Sequence, residues 1–203
     1  MNKWNQLANK QSIDKAIEAL KANGINAQFV ENSDDVKREV LELIPQGAEV
    51  MNMTSVTLDT IGLPKDLNES GKYNSVRNKL NFMDRVTQGL EMQKIGASPE
   101  WAVGSVHAVT EEGQVIVVSN SGSQLQAYAG GSPNVIWIVG AQKIVKNTDE
   151  GMKRIYEYVL PLEDERAKKT YGVGSNVSKV LIINKEIMSG RITLIIVNEV
   201  LGF

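Results

Sequence analysis

Hydrophobic positions along the chain alternate between helical and strand-like spacing. Apolar residues three or four positions apart within 13–20 follow Ser12, a good helix N-cap residue, and precede Gly24, which suits a left-handed C-terminal cap. A strand is predicted over 25–30, and a second helix begins at Ser33. This order of helix, strand and helix is typical of an α/β protein.

The middle of the chain continues the same alternation. We predict a buried strand over 48–53 and one longer helix over 76–90 that covers the sheet. Residues 104–110 and 115–119 are rich in β-forming residues and are separated by a four-residue loop that contains Gly, which is the pattern of an antiparallel hairpin. The apolar run 134–139 (NVIWIV) indicates a strand that is buried on both faces.

The last third of the chain predicts one more helix and two closing strands. Thr148 caps the helix, whose inner face includes Tyr156, and the strands span 177–183 and 192–200. The chain has no internal repeat, low-complexity segment or Pro-rich linker, so that we expect a single domain over 1–203. Its fold class is α/β, with an open, mixed, mostly parallel sheet, helices on both faces and an antiparallel hairpin.

The charge balance excludes several classes of partner. The chain has 22 Lys and Arg against 24 Asp and Glu, which gives a net charge of -2. Without a positive field, nucleic acid and anionic lipid are not expected as partners. No apolar run approaches the length that crosses a bilayer, and residues 1–10 are too polar for a secretory signal. We therefore expect a cytoplasmic protein.

The counts of Cys and His limit the possible chemistry. The chain has no Cys, which excludes disulfides, a thiol nucleophile and an iron–sulfur cluster held by thiolates. Its one His, His107, is too few for a zinc site with several imidazole ligands. We predict no metal site from the sequence, although magnesium bound by carboxylates stays compatible with the composition.

Four segments together carry a resemblance to a known family. They are 96–107 (GASPEWAVGSVH), 119–124 (SNSGSQ), 135–145 (VIWIVGAQKIV) and 190–203 (GRITLIIVNEVLGF). The chain resembles the LUD domain family, which includes lactate-utilization proteins B and C. The resemblance implies a fold similar to that of ribose-5-phosphate isomerase, glucosamine-6-phosphate deaminase, the CoA transferases and formyltetrahydrofolate cyclo-ligase. Several of these bind phosphorylated or CoA-linked substrates at Gly/Ser/Thr-rich loops, which implies such a role for 54–57 and 119–124.

The chain also departs from the better-known members of that family. Lactate-utilization protein B carries cysteines for iron–sulfur clusters, and this chain has none. Protein C ends with a His-Gly-Pro segment, whereas the corresponding positions here are Ser189, Gly190 and Arg191. Identity with lactate-utilization protein B is therefore excluded, and a role in the lactate pathway itself does not follow from the resemblance.

Small polar residues follow the second hairpin strand and form the main candidate for ligand binding. They are Ser119, Ser121, Gly122, Ser123 and Gln124. Small residues let backbone N–H groups approach an anion, and a following helix N-terminus adds partial positive charge. An ordinary strand-to-helix turn is the alternative. We assign the same role to Thr54, Ser55 and Thr57, which lie at an earlier strand-to-helix corner. Helix capping is the alternative for these residues.

Lys143 is the candidate cation of the site. It follows a buried strand directly, where its ammonium could neutralise a carboxylate or phosphate, and a solvated surface Lys is the alternative. Arg191 and Lys179 are weaker candidates of the same kind and fit surface charges better.

Three residues are candidates for acid–base or covalent chemistry. Glu112, with Glu111, lies in the hairpin turn, where a carboxylate near a pocket could act as a base or form an acyl intermediate, although adjacent acids in a turn are commonly only solvated. Glu199 lies in the apolar strand that ends the chain, where burial would make it a functional acid or the partner of a buried cation. His107 lies in the first hairpin strand, where a structural imidazole is the alternative.

The leading functional hypothesis is a LUD-domain protein of lactate, organic-acid or sugar-acid utilization that binds a small anionic metabolite at strand C-terminal loops. Whether it is an enzyme, and which cofactor it uses, stay open. One alternative is a non-catalytic subunit that binds a protein partner in an organic-acid oxidation system, and isolation as a free homo-oligomer would speak against it. The other is an enzyme like the fold relatives, namely a phosphosugar isomerase, CoA transferase or ATP-dependent ligase.

Overall fold

The computed structural model describes residues 2–203. Its strands are β1 (Asn26–Val30), β2 (Glu49–Asn52), β3 (Asn74–Ser75), β4 (Trp101–Gly104), β5 (Ala108–Thr110), β6 (Val115–Ser119), β7 (Asn134–Gly140), β8 (Ile144–Val145), β9 (Lys179–Ile183) and β10 (Ile192–Val197). Its α-helices are α1 (Lys10–Ala22), α2 (Ser33–Leu43), α3 (Val56–Thr60), α4 (Leu63–Glu69), α5 (Val76–Asn81), α6 (Arg85–Ala97), α7 (Thr148–Arg154) and α8 (Leu160–Tyr171). Short 3₁₀ turns span Lys3–Asn5 and Ala141–Lys143, and π-helical turns span Ala127–Gly131 and Ile155–Val159.

The strands form two sheets. The larger has the order β1-β10-β7-β4-β2-β3, and all of its pairings are parallel. The smaller has the order β8-β5-β6-β9, with β5–β6 and β6–β9 antiparallel and β5–β8 parallel. The predicted fold class and the antiparallel hairpin are confirmed. The two closing strands belong to different sheets, β9 to the smaller one and β10 to the larger one.

Strand β7 shows how the layers pack. Alternate side chains of a strand point to opposite faces of the sheet. Val135, Trp137 and Val139 pack with α1 and one face of the smaller sheet, whereas Ile136 and Ile138 pack with α2, α3 and α4. The other face of the smaller sheet packs against the π-helical turn between α7 and α8. β7 is therefore buried on both faces, as its continuous apolar run predicts.

The single helix predicted over 76–90 is wrong in two respects. The chain forms two helices, α5 and α6, and Asp84 starts the second by accepting hydrogen bonds from the amides of Val86 and Thr87, both at 2.8 Å. Helix α6 has no buried residue, and the side chains of Phe82 and Val86 are more than 90% exposed. The apolar positions from Phe82 onward therefore do not cover the sheet, whereas Val76 of α5 is buried in the core and Leu80 packs against it.

Helix boundaries elsewhere differ from the sequence prediction by a few residues. Asn9, rather than Ser12, caps α1, and Asn147, rather than Thr148, caps α7. The helix that begins with α7 is also longer than predicted, because it continues through a π-helical turn into α8, and Tyr156 is exposed rather than on its inner face. None of the helices within residues 2–203 combines the length and apolar character needed to cross a membrane.

Candidate functional site

A cavity of about 1000 Å³ lies where several strands end. Because β2, β4 and β7 are parallel neighbours, their carboxyl ends share one edge of the larger sheet, where ligands settle in open α/β folds. The residues after these strands line the cavity, as does the segment that follows β6. Helices α6 and α8 form its walls.

The cavity brings together most of the candidates selected from the sequence. Those that line it are Thr54, Ser55, Thr57, His107, Ser119, Ser121, Ser123, Gln124 and Lys143. Gly122 belongs to the same segment but does not line the cavity. Of the candidates for catalysis, only His107 is brought to this place.

Lys143 is buried, so that the surface alternative is wrong. The side chain is 2% exposed. Its Nζ donates to Thr57 Oγ1 at 2.9 Å, to Ser105 Oγ at 3.1 Å and to the carbonyl oxygen of Val106 at 3.2 Å. No carboxylate of residues 2–203 lies within ion-pair distance of it. Burial, and next the charge of Arg154, lower the pKa of Lys143 well below its ordinary value.

The hydroxyls after β2 are not explained by helix capping. Ser55 is the N-cap residue of α3, but its side chain makes no capping hydrogen bond. Thr57 is buried, donates to the carbonyl oxygen of Leu201 at 3.2 Å and accepts from Lys143. Thr54 accepts a hydrogen bond of 3.4 Å from Arg77. These side chains therefore form part of the polar lining of the cavity and do not cap helix α3.

One ring nitrogen of His107 is hydrogen-bonded to the backbone. It lies between β4 and β5, not within a hairpin strand, and its Nδ1 accepts from the amide of Val118 at 3.1 Å. Burial, followed by the charges of Lys143 and Arg154, lowers the pKa of His107 to about 3. The ring is therefore neutral near pH 7, and its proton is on Nε2.

Arg154 is a second buried cation next to this site, and the sequence interpretation missed it. It is 0% exposed, and its Nη1 donates to the carbonyl oxygen of His107 at 2.7 Å. Its Nε and Nη2 have no hydrogen-bond partner among residues 2–203. Burial lowers the pKa of Arg154 to about 10. In the sequence, Arg154 stands next to Ile155, at the edge of the apolar face predicted for this helix. This position was the one feature that could have indicated a buried arginine.

Arg77 is a third cation that the sequence interpretation missed, and it lines the cavity directly. Its Nη2 donates to the carbonyl oxygen of Asn52 at 2.6 Å, and it forms no ion pair with a described carboxylate. Arg166 also lines the cavity, but both of its hydrogen bonds of 2.7 Å go to Glu163. Arg77 is therefore available to an anionic ligand, whereas Arg166 is already neutralised.

The segment after β6 uses part of its backbone internally. The amide of Gly122 donates to Ser119 Oγ at 2.9 Å, and that of Ser123 donates to Ser121 Oγ at 3.3 Å. Ser119 Oγ in turn donates to Gln124 Oε1 at 3.1 Å. The two amides are thus not available to an anion, which corrects the expected use of the backbone here. The role of the side chains stays a prediction.

Glu112 and Glu199 do not line the cavity. Glu112 is exposed in the hairpin turn, while its neighbour Glu111 accepts from Ser12 Oγ at 2.7 Å and forms an ion pair with Lys15. Glu199 lies beyond the end of β10, and its carboxylate accepts from the amide of Ser33 at 2.9 Å, at the first residue of α2. The prediction that Glu199 lies within an apolar strand is therefore wrong. Its carboxylate instead stabilises the N-terminus of α2.

The two weaker cation candidates differ in burial. Lys179 is exposed, as expected. Arg191 is 5% exposed, which corrects its description as a surface charge, and its Nη1 pairs with Glu186 at 2.5 Å. Its remaining nitrogens donate to carbonyl oxygens of Ala127, Tyr128 and Ser132, so that it joins loops rather than binding a ligand.

The described side chains offer no multidentate metal site. Within residues 2–203, no group of three or more His, Asp and Glu side chains lies close enough together to hold a metal ion. The cavity is lined by basic side chains, hydroxyls and the neutral imidazole of His107, and also by the carboxylates of Asp59 and Glu163.

A comparison with protein-family models finds the LUD domain over residues 13–197. The chain belongs to the LUD domain family. A crystal structure of a DUF162 family protein from Deinococcus radiodurans is similar to this LUD domain, with a TM-score of 0.60 and 11% sequence identity, over 95% of this chain and 100% of that one. At that identity the likeness shows the fold alone. A comparison with curated proteins finds no match.

Proposed function

We propose that this LUD domain binds a small organic-acid anion in the cavity, as part of the utilization of lactate or a related organic or sugar acid. The observation that carries the proposal is Lys143, a buried lysine at the cavity with no carboxylate partner among residues 2–203. An anion bound at the cavity would supply the negative charge that this site lacks and would favour protonation of the amine.

Arg77 supports the proposal from a second position. It lines the same cavity, and the backbone carbonyl that it contacts does not neutralise its charge. Its guanidinium presents donors in a planar fork that matches the two oxygens of a carboxylate. The neutral His107 and the hydroxyls of Ser121 and Ser123 add polar groups suited to the hydroxyl or keto oxygen of an organic acid.

The cavity volume favours ligands larger than lactate. Ligand cavities of roughly 300–1000 Å³ hold drug-sized molecules, and the cavity here has about 1000 Å³. A three-carbon acid would leave much of it to water, whereas a sugar acid would fill more of it. Sugar acids therefore belong among the ligands tested.

Isothermal titration calorimetry tests the proposal with lactate, pyruvate and gluconate as ligands. We expect saturable heat with at least one of them. We also expect Arg77→Gln to weaken binding by about tenfold to a hundredfold, because a hydrogen bond to a charged group contributes about 1.5–3 kcal/mol.

Arg38→Gln is the matched control, since Arg38 is exposed on α2 and pairs with Asp35. It removes the same charge and should leave binding unchanged. Absence of saturable heat with every acid, or equal affinity of the Arg77→Gln and Arg38→Gln variants, would contradict the proposal. Binding of ribose 5-phosphate or acetyl-CoA in place of the acids would favour the isomerase-like or transferase-like alternative.

A further inference from the structure

We propose that Lys143 is a catalytic residue whose Nζ forms an imine with the carbonyl carbon of a 2-oxo acid bound in the cavity. The inference rests on the proposed organic-acid site and names its substrate class. Lys143 lines the cavity at the end of β7, on a 3₁₀ turn that directly follows the central strand of the larger sheet. Its amine is therefore held at a fixed place on a rigid element.

The hydrogen bonds around Nζ can all be made by a neutral amine. The hydrogen of Thr57 Oγ1 is committed to the carbonyl oxygen of Leu201, so that Thr57 can only accept from Nζ. The carbonyl oxygen of Val106 is also an acceptor only. Ser105 Oγ lies 3.1 Å from Nζ and donates only a long hydrogen bond of 3.5 Å to the carbonyl oxygen of Val106, so that turning its hydrogen toward the nitrogen lone pair exchanges this bond for a shorter one. A neutral amine thus donates twice and accepts once, with each of its three partners satisfied.

The charges around Lys143 favour the neutral amine as well. The two titratable groups that face it, Arg154 on α7 and His107 after β4, are a cation and a neutral imidazole. No carboxylate of the described chain is paired with it. Burial and the charge of Arg154 lower the pKa of Lys143. Desolvation and a neighbouring cation are the two arrangements by which proteins activate a lysine as a nucleophile.

The covalent step needs no redox partner. The Nζ lone pair attacks the carbonyl carbon, and the electrons of the C=O double bond move to the oxygen, which takes a proton. The carbinolamine then loses this oxygen as water, and the nitrogen forms a double bond to carbon. Both hydrogens of the amine leave with the water. Ser105 Oγ is placed to pass a proton between Nζ and the oxygen, and Arg77 is suited to hold the carboxylate.

Reductive trapping tests this inference on the intact protein. Pyruvate and sodium borohydride are added together, and the mass of the protein and of its peptides is measured. We expect one adduct, with the mass of pyruvate less one oxygen atom, on the peptide that contains Lys143. Lactate carries a hydroxyl in place of the 2-oxo group, so that it should give no adduct with borohydride and should compete with pyruvate.

Variants provide the controls. Lys143→Arg should abolish the adduct, whereas Lys146→Arg, which changes an exposed lysine three residues later, should leave it intact. Ser105→Ala should slow the formation of the adduct while retaining pyruvate binding. Because the peptide is mapped in the unchanged protein, the test does not depend on the folding of a variant.

The two proposals fail in different ways. Saturable heat with pyruvate, together with no adduct or an adduct on another lysine, would overturn the imine and leave the organic-acid site standing. Neither heat nor adduct with any acid would overturn both.

Discussion

Lys143 Nζ and Thr57 Oγ1 lie 2.9 Å apart, and they join the end of the central strand β7 to helix α3 across 86 positions of sequence. Thr57 also contacts a third segment, because its hydroxyl donates to the carbonyl oxygen of Leu201, which follows β10. One hydroxyl thereby connects three elements at the carboxyl edge of the larger sheet. The buried amine is held by neutral oxygen atoms rather than by a carboxylate.

Removing this hydroxyl should destabilise the protein. Thr57→Val preserves the shape of the side chain but leaves Nζ with one partner fewer and the Leu201 carbonyl with one hydrogen bond fewer. We expect a loss of about 1–3 kcal/mol in the free energy of unfolding, measured with urea. Thr57→Ser should lose much less. Thr60→Val, on the exposed side of the same helix, is the control. Equal stability of the two valine variants would contradict the role given to Thr57.

The stability of the protein should depend on pH through Lys143. The pKa of Lys143 is lowered from 10.5 in the folded protein, so that between the folded pKa and 10.5 the unfolded chain binds a proton that the folded one does not. Stability should therefore rise with pH, by about 1.4 kcal/mol per pH unit between the folded and unfolded pKa values. Urea unfolding over a series of pH values up to about 10 should show this rise in the wild type and not in Lys143→Met. Parallel curves for the two proteins would argue against a buried neutral amine.

His107 should destabilise the protein in acid. Its pKa is about 3 when folded against an ordinary 6.5, so that the unfolded chain gains a proton first as the pH falls. Stability should be lost from pH 6.5 downward, by about 2 kcal/mol at about pH 5. His107→Asn retains an acceptor for the Val118 amide but does not titrate. The variant should gain stability over the wild type between about pH 7 and about pH 5, and no gain would mean that the imidazole titrates normally.

Gly104 should not tolerate a side chain. A Cβ at this position would lie 1.8 Å from the hydroxyl oxygen of Tyr128, which lines the cavity. We expect Gly104→Ala to destabilise the protein by about 1–3 kcal/mol, since the buried tyrosine ring must move. Tyr128→Phe in the same protein should recover part of this loss, which a double-mutant cycle would measure. Gly89→Ala, in open space on α6, should stabilise by about 0.5–1 kcal/mol. A Gly104→Ala variant as stable as the wild type would contradict this packing.

The parts of the fold that were predicted correctly depend on local patterns. The continuous apolar run of β7 indicates a strand with neighbours on both faces, and the Gly-containing loop before Val115 indicates a hairpin. The pairing of β9 with β6 rather than β10 depends on contacts distant in sequence, which periodicity does not encode. Helix α6 was misjudged because its apolar spacing resembles that of a covering helix, although Val86 and Leu90 are exposed.

The candidate site was predicted in part for a similar reason. Strand ends are recognisable from the sequence, and in a parallel sheet they converge, so that Thr57 and Lys143 were brought to the same cavity as expected. Ser119 also lines this cavity, but it ends β6 of the smaller sheet, and its place there depends on how the two sheets pack. Arg77 was missed because nothing in its local sequence distinguishes it from a surface arginine. Glu199 was misassigned because the apolar run continues beyond the last paired residue of β10, and the amide that its carboxylate accepts from is 166 positions away.

The most direct test of an organic-acid site beside Lys143 is the side-chain NMR signal of this residue. The protein would carry ¹³C at the lysine ε-carbons, and Lys143→Met would assign the signal by its absence. Pyruvate and lactate should each shift the Lys143 signal until it saturates, while the signals of exposed lysines stay in place. A Lys143 signal that does not move at acid concentrations that saturate the calorimetric heat would place the acid elsewhere and contradict the account.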